Sequence, residues 1–148
     1  MEKEINGKVY TEGKHHDIEE LREIIKILRS PDGCPWDKSQ THESMKPCLT
    51  NESQEVLDAI DAKDDDNLCE ELGDVLLQIL LHSEIASERG AFSFDDVIQV
   101  LADKMIRRHP YVFSDETVPE SQEERHARWQ AIKAEEKRKK AEKSQEKK

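Results

Sequence analysis

The sequence has few aromatic residues, few glycines and prolines, and no long hydrophobic run. Aromatic residues make up 5% of the 148 positions, and there are five glycines and five prolines. No apolar stretch approaches the roughly 20 residues that a membrane-spanning helix needs, so no membrane partner is expected. The sequence also has no glycine-rich phosphate loop and no alternating strand pattern, which favours an all-α fold.

Cysteine is equally scarce. The three cysteines, Cys34, Cys48 and Cys69, are scattered along the chain without a CxxC pair. The polar segment at the N-terminus has no hydrophobic signal region. These features predict a reduced protein of the cytoplasm.

Charged residues, in contrast, are abundant. They make up 39% of the chain against 34% hydrophobic residues, and the net charge is −11. This composition is lean for a globular core, so we expect that some residues lie outside the core or that a second subunit completes it. Residues 133–148 carry eight basic and four acidic side chains, which leaves a strongly acidic body. An acidic body argues against duplex nucleic acid as a partner, because phosphate binding requires a basic surface.

The pattern of apolar residues predicts one domain with flanking segments. Residues 1–16 show no periodicity and are expected to form a flexible arm. Residues 17–113 are expected to form the helical domain, and residues 114–148 a linker and a charged helix whose end is disordered. Helical spacing and end signals place helices from Asp17 to the turn at Pro31, from Thr41 to Ala62, from Leu68 to Arg89, from Phe94 to Arg108, and from Gln122 onward.

Two pairs of acidic residues stand out in this pattern. Glu52 and Glu55 lie on one predicted helix and Glu71 and Asp74 on the next, each pair separated by three positions. On a helix this spacing puts both members on one face. The pairs fall among the apolar residues that should face the neighbouring helix.

Four carboxylates between two helices would repel one another unless they bind protons or a cation. A hard divalent cation such as Mg²⁺ takes oxygen ligands and leaves positions for substrate phosphates. The pattern therefore favours a metal site formed by the four acids. The alternative is a helix pair with acidic, solvent-exposed faces, which is common in highly charged chains.

Other residues with possible binding roles lie outside the acidic pairs. Lys104, Arg107 and Arg108 end a predicted helix, where they either complement the negative helix terminus or bind phosphate groups. Trp36, in a short loop, serves either as a hydrophobic plug, the more common use, or as a stacking surface for a flat ligand. Two further candidates, Trp129 and Lys133, share a face of the last predicted helix.

Four sequence blocks, taken in order, resemble the MazG family of nucleoside triphosphate pyrophosphohydrolases. They are LRSPDGCPWDKSQTHESMKP, EVLDAID, EELGDVLLQILLHSEIA and KMIRRHPYVF, and the resemblance covers roughly residues 18–113. A weaker extension runs through residues 129–137. The family's acidic signature, ExxE followed by ExxD, corresponds here to Glu52 and Glu55 and to Glu71 and Asp74.

The resemblance implies an all-α, four-helix-bundle-like core that is completed as a homodimer. It also implies Mg²⁺-dependent hydrolysis of (deoxy)nucleoside triphosphates to nucleoside monophosphate and pyrophosphate. Carried onto this chain, the four acids would bind Mg²⁺, and Glu55 or Glu52 would activate the attacking water. The substrate-binding residues would be Lys104, Arg107, Arg108, Trp129 and Lys133, with Trp36 shaping the base pocket.

The chain departs from the family pattern in the first acidic motif. The family usually has paired glutamates and an aromatic residue there, whereas this sequence has Asn51 and Gln54 beside the retained glutamates. Two alternatives therefore stay open. One is a related all-α pyrophosphohydrolase with a narrower substrate, and the other is a non-catalytic helical module that binds a nucleotide or a protein.

Overall fold

The computed structural model describes residues 2–146 and is predominantly helical. The prediction of an all-α fold is confirmed. Among the described residues, no helix combines the length and the apolar character needed to cross a membrane. The elements in chain order are β1 (Glu4–Ile5), β2 (Lys8–Val9), α1 (Ile18–Leu28), α2 (Pro35–Ser39), α3 (Lys46–Ala62), α4 (Asp65–Glu88), α5 (Phe94–Arg108), α6 (Pro110–Phe113) and α7 (Gln122–Glu146).

The N-terminal segment contains a small antiparallel hairpin formed by β1 and β2. Asn6 and Gly7 form its turn, and both have positive φ (51° and 82°), as a two-residue hairpin turn requires. Lys8 and Tyr10 then donate hydrogen bonds, each 3.1 Å long, to the carboxylate of Glu23 on α1. The sequence shows no strand pattern here, because strands of two residues are too short to show alternation.

Helix α1 begins with the cap expected from the sequence. The Asp17 side chain accepts a 2.9 Å hydrogen bond from the backbone N–H of Glu20, which satisfies one of the unpaired donors at the helix start. The apolar stripe of α1 then packs against α4. The core consists of Ile25, Met45, Leu80, Leu81 and Ile85, surrounded by Leu21, Leu28, Leu76, Leu77 and Phe94.

A buried arginine joins the end of α1 to the end of α4. Arg29 binds the carboxylate of Glu88 through Nε and Nη2, and its Nη1 donates to the backbone carbonyls of Asp37 and Gln40. Gly33 lets the chain turn closely over α1, because a Cβ atom there would clash with backbone carbonyl oxygens of that helix. Together these contacts fix the segment that leads into α3.

Two histidines connect that same segment to α4. The Nδ1 atoms of His42 and His82 are 2.8 Å apart and the rings are nearly parallel. Parallel rings with so short a contact cannot lie face to face, since stacked atoms need about 3.5 Å, so they meet edge to edge. Arginine has no acceptor, so Arg89 donates its hydrogen bond to Nε2 of His42 (3.4 Å). The proton of His42 is therefore on Nδ1, which donates to Nδ1 of His82. Burial and the neighbouring His42 lower the pKa of His82.

The chain divides into two compact units, one up to Phe94 and one from Asp95 onward. The first contains the hairpin, α1 to α4 and the core. The second contains nearly all of α5 together with α6 and α7, and its linker is held by Arg125, whose Nη1 donates to the carbonyl of Pro119. The predicted division after residue 113 stays a prediction.

Candidate functional site

Helices α3 and α4 are joined by only two residues, so they run antiparallel and pack side by side. Lys63 ends α3 in a left-handed conformation (φ 56°), and the Asp64 side chain caps α4 by accepting from the N–H of Asn67. The sequence predicted that α4 begins at Leu68. It begins at Asp65, because an aspartate cap and acidic residues in the first turn favour an earlier start.

The two acidic pairs are placed symmetrically about this turn. Glu55 precedes Lys63 by eight residues and Glu71 follows it by eight, while Glu52 and Asp74 are each eleven residues away. Since each helix rises about 1.5 Å per residue, equal spacing brings Glu55 to the level of Glu71 and Glu52 to the level of Asp74. A tight helical hairpin thus assembles the four side chains from their positions alone.

The structure brings the four acids together as a single cluster, which we call the acidic cluster. One carboxylate oxygen from each of Glu52, Glu55, Glu71 and Asp74 lies within 4.8 Å of the others. Glu55 is exposed and the other three are half-buried. Oε2 of Glu52 and Oε2 of Glu71 are buried without a hydrogen-bond partner among residues 2–146. Buried oxygens without partners are uncommon. These two oxygens are therefore candidates for binding a cation or a hydrogen-bond donor.

Two carboxyl groups of the acidic cluster, those of Glu71 and Glu52, hold their protons more tightly than an isolated carboxyl group does. A hydrogen bond to Glu55, burial and the neighbouring negative charges raise the pKa of Glu71 to about 7. Burial, followed by a hydrogen bond to Glu55, raises the pKa of Glu52. In the absence of a cation, a proton shared between carboxyl groups therefore relieves part of the repulsion near neutral pH.

A metal ion would satisfy this cluster better than a proton. Four carboxylates supply the oxygen ligands that hard divalent cations prefer. The two unpartnered oxygens of Glu52 and Glu71 are donors that a cation can use without breaking an existing hydrogen bond. The residues present therefore fit a divalent metal site, and the acidic cluster could hold such an ion.

The two residues that depart from the family pattern do not belong to the acidic cluster. Asn51 and Gln54 are both exposed, and the side-chain amide of Gln54 donates to Asp58 one turn further along α3 (2.9 Å). Gln54 thus bonds along its own helix. The four acids assemble without either residue.

Trp36 does not fill the core. It lies in the single-turn helix α2, which the sequence predicted as a loop, and 56% of its surface is exposed. The hydrophobic-plug interpretation was therefore wrong. Its exposure is compatible with a stacking surface, but a contact with a base stays a prediction.

The second compact unit contains the predicted phosphate-binding residues. The guanidinium of Arg108 lies over the ring of Trp129, 5.1 Å from its centre, in a cation–π contact. His109 packs its ring edge against the same tryptophan, with ring centres 5.4 Å apart. Lys104 is half-buried and Lys133 exposed, and neither forms an ion pair within the described part of the chain.

Sequence reasoning missed the acid that organises this group. Glu136 on α7 binds both Arg107 and Arg108. A signal for it was present, because Glu136 lies seven residues after Trp129 and two helical turns bring both residues to one face. In the sequence, however, Glu136 stands out only as one of many charges in the helix predicted from Gln122 onward.

Comparison with known proteins agrees with this helical hairpin and its acids. Residues 40–113, half of the chain, match the model of the MazG nucleotide pyrophosphohydrolase domain. The fold also resembles the crystal structure of a MazG-related protein from Thermotoga maritima, with a TM-score of 0.65 and 33% identity, covering 79% of this chain and 99% of that one. The chain belongs to the MazG family. The matched residues include all four members of the acidic cluster.

The curated relatives of this MazG chain include longer proteins. A nucleoside triphosphate pyrophosphohydrolase/pyrophosphatase MazG of Thermotoga maritima is 55% identical over 83% of this chain and 46% of its own length. A nucleoside triphosphate pyrophosphohydrolase of Escherichia coli K12 is 45% identical over 87% of this chain and 49% of its own length. The chain therefore spans about half the length of these relatives.

Proposed function

We propose that this MazG chain hydrolyses nucleoside triphosphates to nucleoside monophosphate and pyrophosphate with Mg²⁺ as its cofactor. The observation that carries the proposal is the acidic cluster, whose four carboxyl groups meet within 4.8 Å and leave two oxygens buried without partners. Similarity to relatives named nucleoside triphosphate pyrophosphohydrolases supports the reaction type.

In the proposed mechanism, Glu52, Glu55, Glu71 and Asp74 hold the metal. When bound, Mg²⁺ supplies charge neutralisation for the phosphates and makes a nearby water more acidic. Glu55, the exposed member of the cluster and a cause of the raised pKa values of both Glu52 and Glu71, would orient or deprotonate the attacking water. Glu52 is the second candidate for that role. The proton held by Glu71 near neutral pH would leave on metal binding.

The basic residues of the second unit are proposed to bind the substrate. Lys104, Arg107 and Arg108 would contact phosphate oxygens and stabilise negative charge on the departing pyrophosphate. Trp129 and Lys133 would contact the nucleotide from α7. No covalent intermediate is expected, because the acids are occupied with the metal and the water.

We also propose that the chain forms a homodimer. Leu57 and Ile60 on α3, and Leu72 and Ile79 on α4, expose 40–53% of their surface although they are large and apolar. Exposed apolar residues on adjacent helices indicate a surface that packs against another protein. Sedimentation equilibrium should give twice the chain mass, and a monomer at micromolar concentration would rule out this part of the proposal.

The experiment that tests the proposed function is a panel of nucleoside and deoxynucleoside triphosphates, assayed with and without Mg²⁺. Chromatography of the products should show nucleoside monophosphate and pyrophosphate in equal amounts, and only when the metal is present. Nucleoside diphosphate and phosphate would show cleavage at the other anhydride bond. Binding without turnover would favour the non-catalytic module instead.

A further inference from the structure

The carboxylate of Glu136, on α7, forms hydrogen bonds with two arginines of α5 at once. Its Oε1 accepts a 2.6 Å hydrogen bond from Nε of Arg107, and its Oε2 accepts a 2.7 Å bond from Nη2 of Arg108. Nε of Arg108 lies 3.3 Å and 3.2 Å from the two oxygens. One carboxylate therefore holds two neighbouring guanidinium groups at the last turn of α5.

This group is largely withdrawn from solvent. The side chains of Glu136 and Arg108 expose only 13% and 15% of their surface, whereas that of Arg107 exposes 47%. The two arginines lower the pKa of Glu136 to about 2, so its carboxylate stays charged at all physiological pH values. Arg108 is confined on a second side by the ring of Trp129. Both its position and its orientation are thus fixed without a ligand.

The arginines keep unused donors after binding Glu136. Nη1 of Arg108 and both terminal nitrogens of Arg107 donate to nothing in residues 2–146. Two guanidinium charges face one carboxylate, so the group keeps an excess of one positive charge. Terminal nitrogens of a held arginine are well suited to phosphate oxygens, because the entropy of ordering the side chain is already lost.

We infer that Glu136 is a positioning residue for triphosphate binding: it holds Arg107 and Arg108 at the end of α5, where Arg108 also lies over Trp129, and leaves their remaining N–H groups available to phosphate oxygens. The inference rests on the proposed function, since it takes these arginines to contact substrate. Lys133 lies on α7 between Trp129 and Glu136, three residues before the glutamate. The ion pairs of Glu136 with the two arginines of α5 therefore also hold the helix that carries Lys133.

The test compares Glu136→Gln with Glu135→Gln. Glutamine keeps the size of the side chain but replaces one acceptor oxygen with an NH₂ group that faces the guanidinium donors. Glu135 is the matched control, because it lies on the same helix and bonds Arg138 within α7. Both variants lose one negative charge, so a purely long-range effect of charge would be the same in both.

Two measurements report the outcome. E136Q should raise the Kd of a triphosphate analogue with a non-hydrolysable α,β linkage, and the KM of the substrate, at least about fivefold. The value of kcat should fall as well, because the same arginines are proposed to stabilise negative charge on the departing pyrophosphate. Glu136→Asp, which keeps the charge, should recover part of the affinity. E135Q should leave all three constants close to those of the wild type.

Several results would overturn the inference. An unchanged Kd in E136Q would show that the ion pairs of Glu136 only hold α7 in place and do not affect substrate binding. A lower Kd would show that Glu136 competes with phosphate for the arginines. Failure of E136D to recover any affinity would show that loss of the negative charge does not account for the effect of E136Q. If the wild type binds the analogue but has no turnover, the proposed function fails while the Kd comparison still decides the role of Glu136.

Discussion

Glu71 and Glu136 are both half-buried glutamates on long helices, but their surroundings differ in every other respect. Glu71 faces three further carboxyl groups in the acidic cluster, and its pKa is raised to about 7. Glu136 faces two guanidinium groups, and its pKa is lowered to about 2. The same side chain thus holds a proton near neutral pH in one place and carries a charge in the other.

The comparison separates a site that awaits a ligand from a contact that is already complete. No lysine or arginine of residues 2–146 pairs with the acidic cluster, and one oxygen each of Glu52 and Glu71 is buried without a partner. Glu136 has its counter-charges in place and every strong hydrogen bond formed. Repulsion that is not relieved within the fold is best explained by a role in binding a cation, whereas a satisfied ion pair is best explained by positioning.

The largest effect is expected on turnover when Glu71 is changed. Glu71→Gln removes one ligand charge from the acidic cluster, and we expect kcat/KM to fall at least about 100-fold. Glu70→Gln is the matched control, because it removes a charge one position away on an exposed part of α4. Pyrophosphate release measured on both variants decides the matter. Comparable losses in the two would mean that the cluster has no special role.

The next prediction concerns stability without metal, where the two glutamates should respond in opposite directions. At about pH 8, E71Q should raise Tm by a few degrees, because it removes repulsion within the acidic cluster. E136Q should lower Tm, because it weakens the hydrogen bonds and ion pairs with Arg107 and Arg108. Thermal unfolding in a chelating buffer measures both. Changes of the same sign in the two variants would remove the distinction drawn between them.

The pH dependence of stability should sharpen the contrast. Glu71 binds its proton more tightly in the folded state than in the unfolded chain, where its pKa is close to 4.5. Its stabilising contribution is therefore full below about pH 4.5 and is lost as the pH rises through about 7. Without metal, Tm of the wild type relative to that of E71Q should decline between about pH 5 and pH 8.

Saturating Mg²⁺ should abolish this decline, because a cation stabilises the charged form of the acidic cluster. Glu136 follows the opposite rule. Its pKa is depressed, so its contribution is present above about pH 4.5 and is lost only as the pH falls toward about 2. If the difference in Tm between the wild type and E71Q does not vary with pH in a chelating buffer, the pKa assigned to Glu71 is contradicted.

The smallest effect is expected for Glu135, the neighbour of Glu136. Its carboxylate binds Arg138 one turn along the same helix, and both side chains are about half exposed. Exposed pairs of this kind contribute little, so Glu135→Gln should shift Tm by less than about 2 °C. A shift as large as that of E136Q would show that overall charge on α7, and not the tie to the arginines, sets stability.

Much of the acidic cluster could be predicted from the sequence. The spacing of Glu52, Glu55, Glu71 and Asp74 fixes their faces, and a tight turn between two helices brings those faces together at matching heights. Two features need only local rules: helical periodicity and the short connection around Lys63. The predicted start of α4 is three residues late, because Asp64 caps the helix and Asp65 and Asp66 form its first turn.

Other features depend on contacts that no local pattern reveals. The pairing of Glu136 with Arg107 and Arg108 joins residues 29 and 28 positions apart. Spacing places Glu136 on the same face of α7 as Trp129, but it does not indicate that two arginines of α5 are its partners. The exposure of Trp36 depends on how α2 packs, which a single aromatic residue in a loop does not specify. The N-terminal hairpin rests on two-residue strands, too short for a periodic signal.

The most direct test of the central claim is an NMR titration of the Glu71 side-chain carboxyl carbon, with and without Mg²⁺. Without metal, the carboxyl should titrate near pH 7, and saturating Mg²⁺ should move the midpoint below about 4.5 because the cation replaces the proton. A midpoint near 4.5 that is the same in both titrations would contradict the account, since Glu71 would then neither share a proton with its neighbours nor bind a metal.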